Sequence, residues 1–230
     1  MSRFLWDVAS GKTIRRFLGH THRVNATDFN ADASVVATAS YDATVRLWDC
    51  KSQNRTPIQT LDEAKDSVTS VQVKDYEIIT GSVDGRLRTY DLRAGQLTAD
   101  VVGRIFLLDL CFSHLDPITS VWQSADSNCI LVSTLDSHIR LFDKANGVLL
   151  QTFKGHKNTE YRIRSCLGAA DKYVVSGSED GRFMMWDLVT GDVVSEVEAH
   201  EGKVVTCVSY HPTKRQAVTS GVDGSVTVWE

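Results

Sequence analysis

Histidine, serine and aspartate recur in this chain at spacings that invite a catalytic reading. Gly19-His20 precedes Ser40-Tyr41-Asp42 and Trp48-Asp49, and Gly155-His156 precedes Ser178-Glu179-Asp180 and Trp186-Asp187. A His near a Ser and an Asp is the makeup of a nucleophilic triad: the imidazole takes the hydroxyl proton and the carboxylate orients the ring. The same residue types also suit a buried hydrogen-bond network. There the His bonds the Asp and a Ser or Thr, and that hydroxyl accepts from the Trp indole N–H. Repetition decides between the two, because one reaction needs one nucleophile whereas a structural brace is copied with its unit. The quartets His20, Ser40, Asp42, Trp48 and His156, Ser178, Asp180, Trp186 are therefore read as structural, with no catalytic residue and no enzyme activity expected. A Gly-rich phosphate loop, an HExxH and a paired-Cys pattern are all missing from the sequence, so no cofactor and no metal is expected.

The elements that must position these residues repeat with them. An Asp stands six residues before a closing aromatic in Asp42/Trp48, Asp84/Tyr90, Asp136/Phe142, Asp180/Trp186 and Asp223/Trp229, and a lone Phe4-Leu5-Trp6-Asp7 opens the chain. The aromatics from Trp6 to Trp229 are 42, 42, 52, 44 and 43 residues apart. A period of roughly 40–45 residues, with Gly-His near its start and Trp-Asp near its end, is the signature of a WD-repeat blade of four strands. In the first full copy the expected strands are Val24–Phe29, Ser34–Ala39, Thr44–Trp48 and Thr56–Leu61. Pro57 suits the outer one, where an edge has no use for its missing N–H. The expected fold is all-β, a WD-repeat β-propeller of about five and a half blades in a single domain over residues 1–230, with repeats closing near 7, 49, 91, 143, 187 and 230. Three copies depart from the quartet: Asp62 and Tyr90 replace His and Trp, Phe142 has no N–H, and Gly221 stands where others place Ser or Thr. Those blades are expected to be softer.

Both ends are abrupt. Met1–Asp7 supplies a third strand and Lys12–Leu18 a fourth, and the chain stops on a third strand at Trp229-Glu230. Either Lys12–Leu18 completes the last blade, or about a blade and a half belongs upstream. The second is preferred, because an unclosed ring exposes strand edges. The long interval carries an irregular insertion at 104–116. Three readings stay open: an apolar interaction loop, a stretch in which His114 is the blade's His, or a segment foreign to the mature fold.

At 230 residues and 42% hydrophobic content the chain can bury a sizeable core. A net charge of −4 argues against a general binder of nucleic acid or anionic membrane. Five scattered cysteines read as reduced thiols, and no leader or spanning run is visible, so a cytoplasmic and nuclear location is expected. Two basic clusters, Lys12, Arg15, Arg16, His20, His22, Arg23 and Lys154, His156, Lys157, Arg162, Arg164, lack interleaved aromatics for base stacking and read as solvated rims.

Several longer strings go beyond the repeat unit. Trp6-Asp7-Val8-Ala9-Ser10-Gly11-Lys12, the Gln59–Asp66 run, Tyr90-Asp91-Leu92-Arg93, Lys154-Gly155-His156-Lys157-Asn158 with Glu160-Tyr161, and Tyr210-His211-Pro212-Thr213 resemble the WD-repeat mitogen-activated protein kinase organizer family. The resemblance implies a seven-bladed propeller, N-terminally truncated here. It also implies a non-catalytic scaffold that gathers kinase-cascade components of the extracellular-signal-regulated type, spliceosomal complexes, or both, and that contacts an oxygen-sensing prolyl hydroxylase. The implied partners are proteins, with no small-molecule substrate, no direct nucleic acid and no membrane. On such a fold partners dock on the rim where the turns gather, which makes Arg23, Tyr41, Arg162, Glu179 and Lys203 the binding candidates. Tyr and Arg are favoured among interface hot spots. Tyr90-Asp91-Leu92-Arg93 also approximates the box by which some propellers dock the adaptor of cullin-type ubiquitin ligases. Arg93 would be the docking cation, and the alternative function is a ligase substrate receptor.

Overall fold

The structure, a computed structural model, describes residues 2–52, 54–91, 96–100 and 116–230. Arg93, Cys111, His114 and nearly all of the 104–116 insertion lie outside these residues. The described chain is all-β and falls into two compact units, Met1–Asp100 and Val101–Glu230.

The first unit opens with Ser2–Trp6 (β1) paired antiparallel to Thr13–Leu18 (β2). Lys12–Leu18 thus finds its partner in the preceding strand. A four-stranded meander follows, Val24–Phe29 (β3), Val35–Ser40 (β4), Val45–Asp49 (β5) and Gln59–Leu61 (β6). The outer strand is shorter than the expected Thr56–Leu61. Its ladder begins where Ile58 N–H donates to Leu47 O at 2.8 Å, and Pro57, with no N–H, cannot extend it. The second meander is Val68–Lys74 (β7), Glu77–Ser82 (β8), Leu87–Asp91 (β9) and Gln96–Asp100 (β10).

The second unit repeats the pattern. Ile118–Gln123 (β11), Cys129–Thr134 (β12), His138–Asp143 (β13) and Leu149–Phe153 (β14) form one sheet. Ser165–Gly168 (β15), Tyr173–Gly177 (β16), Arg182–Asp187 (β17) and Val193–Glu198 (β18) form the next. Val205–Tyr210 (β19), Ala217–Gly221 (β20) and Val226–Trp229 (β21) complete the unit.

Within each unit the sheets stack face to face, the packing that buries the alternate apolar residues of two pleated faces. In the first unit Phe17 and Leu5 pack on Val36 and Trp48, while Ala37, Ala39 and Leu47 meet Val68, Val71 and Ile78. In the second, Phe153, Leu141 and Ile139 pack on Val174, Met184 and Trp186, and Cys166, Val175 and Phe183 pack on Val205 and Val208. Small residues on the second strand of each sheet permit this approach. Gly177 is the tightest case, because a Cβ there would stand 2.3 Å from Val205 O. Gly177→Ala is expected to destabilise the protein by roughly 1–3 kcal/mol through overpacking, read as a lower midpoint in urea unfolding. An unchanged midpoint would show that β19 can retreat without cost.

Candidate functional site

The second-to-third strand turn is the same in all five copies. Its Asp carboxylate accepts the backbone N–H two residues on: Thr44, Arg86, His138, Arg182 and Ser225 donate to Asp42, Asp84, Asp136, Asp180 and Asp223 at 3.2, 3.1, 3.1, 3.3 and 2.9 Å. The residue between is left-handed each time, Ala43, Gly85, Ser137, Gly181 and Gly224. An aspartate that bonds its own backbone two residues on favours this tight turn.

What else grips the carboxylate differs among copies. In the β3–β6 sheet His20 Nδ1 lies 2.9 Å from Asp42 Oδ2, and its Nε2 lies 2.8 Å from Thr38 Oγ1. Trp48 Nε1–H donates to the same Thr38 oxygen at 2.9 Å. Burial lowers the His20 pKa, so the ring is neutral, and Asp42 is held well below the ordinary carboxylate value by Thr44, His20 and Thr21 despite its burial. With a neutral ring every proton has a place: indole to hydroxyl, hydroxyl to Nε2, and Nδ1–H to carboxylate. The bridging hydroxyl belongs to Thr38, which corrects the sequence reading of Ser40. Trp48 stands opposite Val36 in the β4–β5 register, so Thr38 is its diagonal neighbour and Ser40 is one pair too far. Ser40 instead donates to Arg23 O at 2.9 Å and accepts Asp42 N–H.

The same register places Thr219 beside Trp229. Trp229 Nε1–H donates to Thr219 Oγ1 at 3.0 Å, His200 Nε2 lies 3.0 Å from that oxygen, and His200 Nδ1 meets Ser225 Oγ at 2.7 Å. The last sheet therefore carries a His–hydroxyl–Trp network despite Gly221. A Ser or Thr ten residues before the closing aromatic was the legible signal: Thr38, Thr80, Ser176 and Thr219, with Val132 only where Phe142 has no N–H to offer.

The other two irregular copies use an arginine four residues after the Asp. Buried Arg88 donates Nη2–H to Asp84 Oδ2 at 2.7 Å and Nη1–H to Ser82 Oγ at 2.8 Å. Arg140 grips Asp136 in the same way and donates Nη1–H to Thr134 Oγ1 at 2.7 Å. Tyr90 bonds Glu63 and Thr80 in place of an indole, and burial with the Glu63 charge pushes its hydroxyl pKa up. A forked, charge-assisted pair is stronger than a neutral hydrogen bond, so these copies are braced by other means and not left slack.

The second expected quartet is not assembled. His156 is 3% exposed with its ring edge-on to Trp186, and neither ring nitrogen has a hydrogen-bond partner among the described residues. Trp186 Nε1–H donates to Lys154 O at 2.9 Å, Ser176 donates to Gly177 O, Ser178 accepts Lys157 N–H at 2.8 Å, and Asp180 faces Arg182. His156 precedes its Asp by 24 residues against 22 for His20, and the longer loop is held elsewhere. Glu179 accepts from Thr159, Glu160 and Tyr161 N–H at 2.6, 2.6 and 3.0 Å, which keeps its carboxyl at about 2 against its burial.

Among the binding candidates, Tyr41 is 51% exposed, with the Arg23 guanidinium 5.2 Å over its ring and the His22 ring at 5.9 Å. Tyr41 N–H donates to Arg23 O at 2.9 Å, so the pair is fixed through the backbone. Lys203 is exposed and Arg162 half-buried, whereas the Glu179 side chain is turned inward at 5% exposure. The basic run on β2 is split between two faces: Arg15 lies over Phe17 and donates to Asp49 O, and Arg16 lies over Phe4.

Two substitutions separate the assembled from the unassembled network. His20→Ala is expected to cost about 1–3 kcal/mol by stranding Thr38 and Asp42, whereas His156→Phe is expected to be neutral or stabilising in urea unfolding at pH 7. Burial holds His156 at about 4, below its ordinary 6.5. Above about pH 6.5 the ring is neutral folded and unfolded alike, and as pH falls towards 4 protonation of the unfolded chain erodes stability. His156→Phe should therefore lose less stability than wild type as pH falls from about 6.5 to 4, and parallel curves would refute the assignment.

The sequence profile of the WD domain, G-beta repeat matches residues 11–49, 107–143, 147–187 and 191–230. A Dictyostelium discoideum protein described as a WD repeat domain-containing protein 83 homolog is 32% identical over 256 residues, covering 99% of this chain and 75% of its own. The rat and human proteins called WD repeat domain-containing protein 83 are 45% and 48% identical, over 78% and 77% of this chain. The chain spans about half the length of those two relatives, 53% and 52%. Repeats, register and relatives agree, and the chain belongs to the WD-repeat family of β-propeller proteins.

Proposed function

We propose that this chain is a non-catalytic scaffold that binds other proteins through the turn-bearing rim of its sheets. The observation that carries the reading is the Arg23–Tyr41 pair: an exposed aromatic capped by a guanidinium, one residue from the Asp that the His20 network immobilises. An amphipathic ring and a fork of donors, both held by the backbone, bind without losing much side-chain freedom. In the β3–β6 and β19–β21 sheets the His and hydroxyl groups that resemble a catalytic set are engaged with one another and with the closing Trp. Similarity to WD repeat domain-containing protein 83 and to the kinase-organizer family supports partners drawn from a mitogen-activated protein kinase cascade or from spliceosomal complexes, in the cytoplasm and nucleus. A scaffold of this kind acts by raising the local concentration of two bound partners.

Affinity purification from native extract followed by mass spectrometry tests the reading. Wild type is compared with Arg23→Glu/Tyr41→Ala at equal melting temperature. Wild type is expected to recover kinases of one cascade or splicing proteins, and the double variant to lose most of them. Full retention by the variant would remove this rim as the docking surface. Signalling output should also rise and then fall as scaffold level increases, because excess scaffold separates the partners, and a monotonic rise would count against scaffolding.

A further inference from the structure

The residue before the turn Asp is Tyr41 in the first full copy and Glu179 in the β15–β18 sheet, and the two are used in opposite ways. Tyr41 faces solvent. Glu179 turns inward, where its Oε1 accepts three successive N–H groups, from Thr159, Glu160 and Tyr161, and its Oε2 accepts Thr159 Oγ1–H at 2.8 Å. Glu179 N–H donates to Lys157 O at 2.9 Å, and Lys157 N–H donates to Ser178 Oγ at 2.8 Å. The 157–161 loop is thus bound along its length to the turn, and the ring it delivers, Tyr161, is 43% exposed. His156 stands 24 residues before Asp180 against 22 for His20 and Asp42, and the longer interval accommodates this loop.

Cations gather on the same turn. Lys157 is exposed, with its Nζ 4.0 Å from Glu179 Oε2. Lys203 is exposed in a loop that lies against Gly181: a Cβ on Gly181 would stand 3.2 Å from Lys203 O, and Val205 N–H donates to Ser178 O at 3.1 Å. Arg164 is exposed as well, with its N–H on Thr206 O at 3.0 Å. The turn carboxylates are meanwhile engaged internally, Glu179 by the loop, Asp180 by Arg182 and Asp223 by Ser225. Glu160 and Glu201 are exposed beside them. A partner therefore meets an aromatic ring among exposed cations, in a chain whose net charge is −4.

We propose, resting on the scaffold reading above, that this face of the β15–β18 and β19–β21 sheets docks an acidic peptide segment of a partner protein, with Tyr161 as the anchor and Glu179 as the residue that positions it. Carboxylates of the segment meet Lys157, Arg164 and Lys203 in charge-assisted hydrogen bonds. Its apolar side chains lie on the Tyr161 ring, whose backbone is already fixed and loses little freedom on binding. The same cations turn basic segments away.

A library of random peptides displayed on phage and selected against the full chain tests this without an extract. The expected winners carry runs of Asp and Glu, and their binding weakens as sodium chloride is raised. Tyr161→Ala and the double variant Lys157→Glu/Lys203→Glu should each weaken a synthesised winner roughly tenfold or more, with the melting temperature unchanged. Glu179→Ala should weaken it too, and Glu179→Gln, whose Oε1 still accepts the three N–H groups, should restore it. Neutral or basic winners, no enrichment, or full binding by Tyr161→Ala overturns the proposal. Winners lost instead in Arg23→Glu/Tyr41→Ala overturn it while leaving the scaffold reading in place.

Discussion

One carboxylate per copy holds each turn of this protein together. A turn two residues long reverses the chain between the second and third strands, and its Asp satisfies the N–H that the reversal would leave without a partner. The residue after the Asp is forced into left-handed geometry, which Gly adopts freely and which Ala43 and Ser137 also adopt here. A half-buried carboxylate is costly unless paired, so the turns of Asp42, Asp84 and Asp136 need a donor from elsewhere. That need shapes the rest of the sheet.

The donor comes in two chemical forms. Where a neutral His reaches in from the preceding loop, it ties turn, strand and closing Trp through one hydroxyl, as at Thr38 and Thr219. In the Asp84 and Asp136 copies Arg88 or Arg140 reaches back from the third strand and meets the Asp and its neighbouring hydroxyl as a charged fork. The first form links a loop to the sheet, and the second is internal to the turn. In the β15–β18 sheet Arg182 lies 3.5 Å from Asp180, Glu179 gathers the N–H groups of Thr159, Glu160 and Tyr161, and His156 stands edge-on to Trp186.

For a binding protein this division has a consequence. Groups that hold the turns are consumed internally, so recognition falls to the side chains beside them. Tyr41 and Arg23 stand at such a place, next to a braced Asp and tied to each other through the backbone. Rigidity below and exposure above is the arrangement that lets a repeated fold carry partners whose identities the repeat itself does not encode.

Much of this was legible in the residues alone. The Asp-to-aromatic interval of six, the 42-to-44-residue spacing of most copies and the alternation of Val45 and Leu47 with polar neighbours determine the strands, the turns and the family, because local periodicity is a property of the chain. Register is not such a property. Only the pairing of Val36 with Trp48 shows that Thr38, not Ser40, is the hydroxyl within reach. Likewise, only packing shows that Trp186 donates to Lys154 O and that Arg88 and Arg140 reach back to the turn Asp. Residue type determines what a side chain is able to bond. Which partner it meets depends on distances between strands that are remote in sequence, and those exist only once the sheets are stacked.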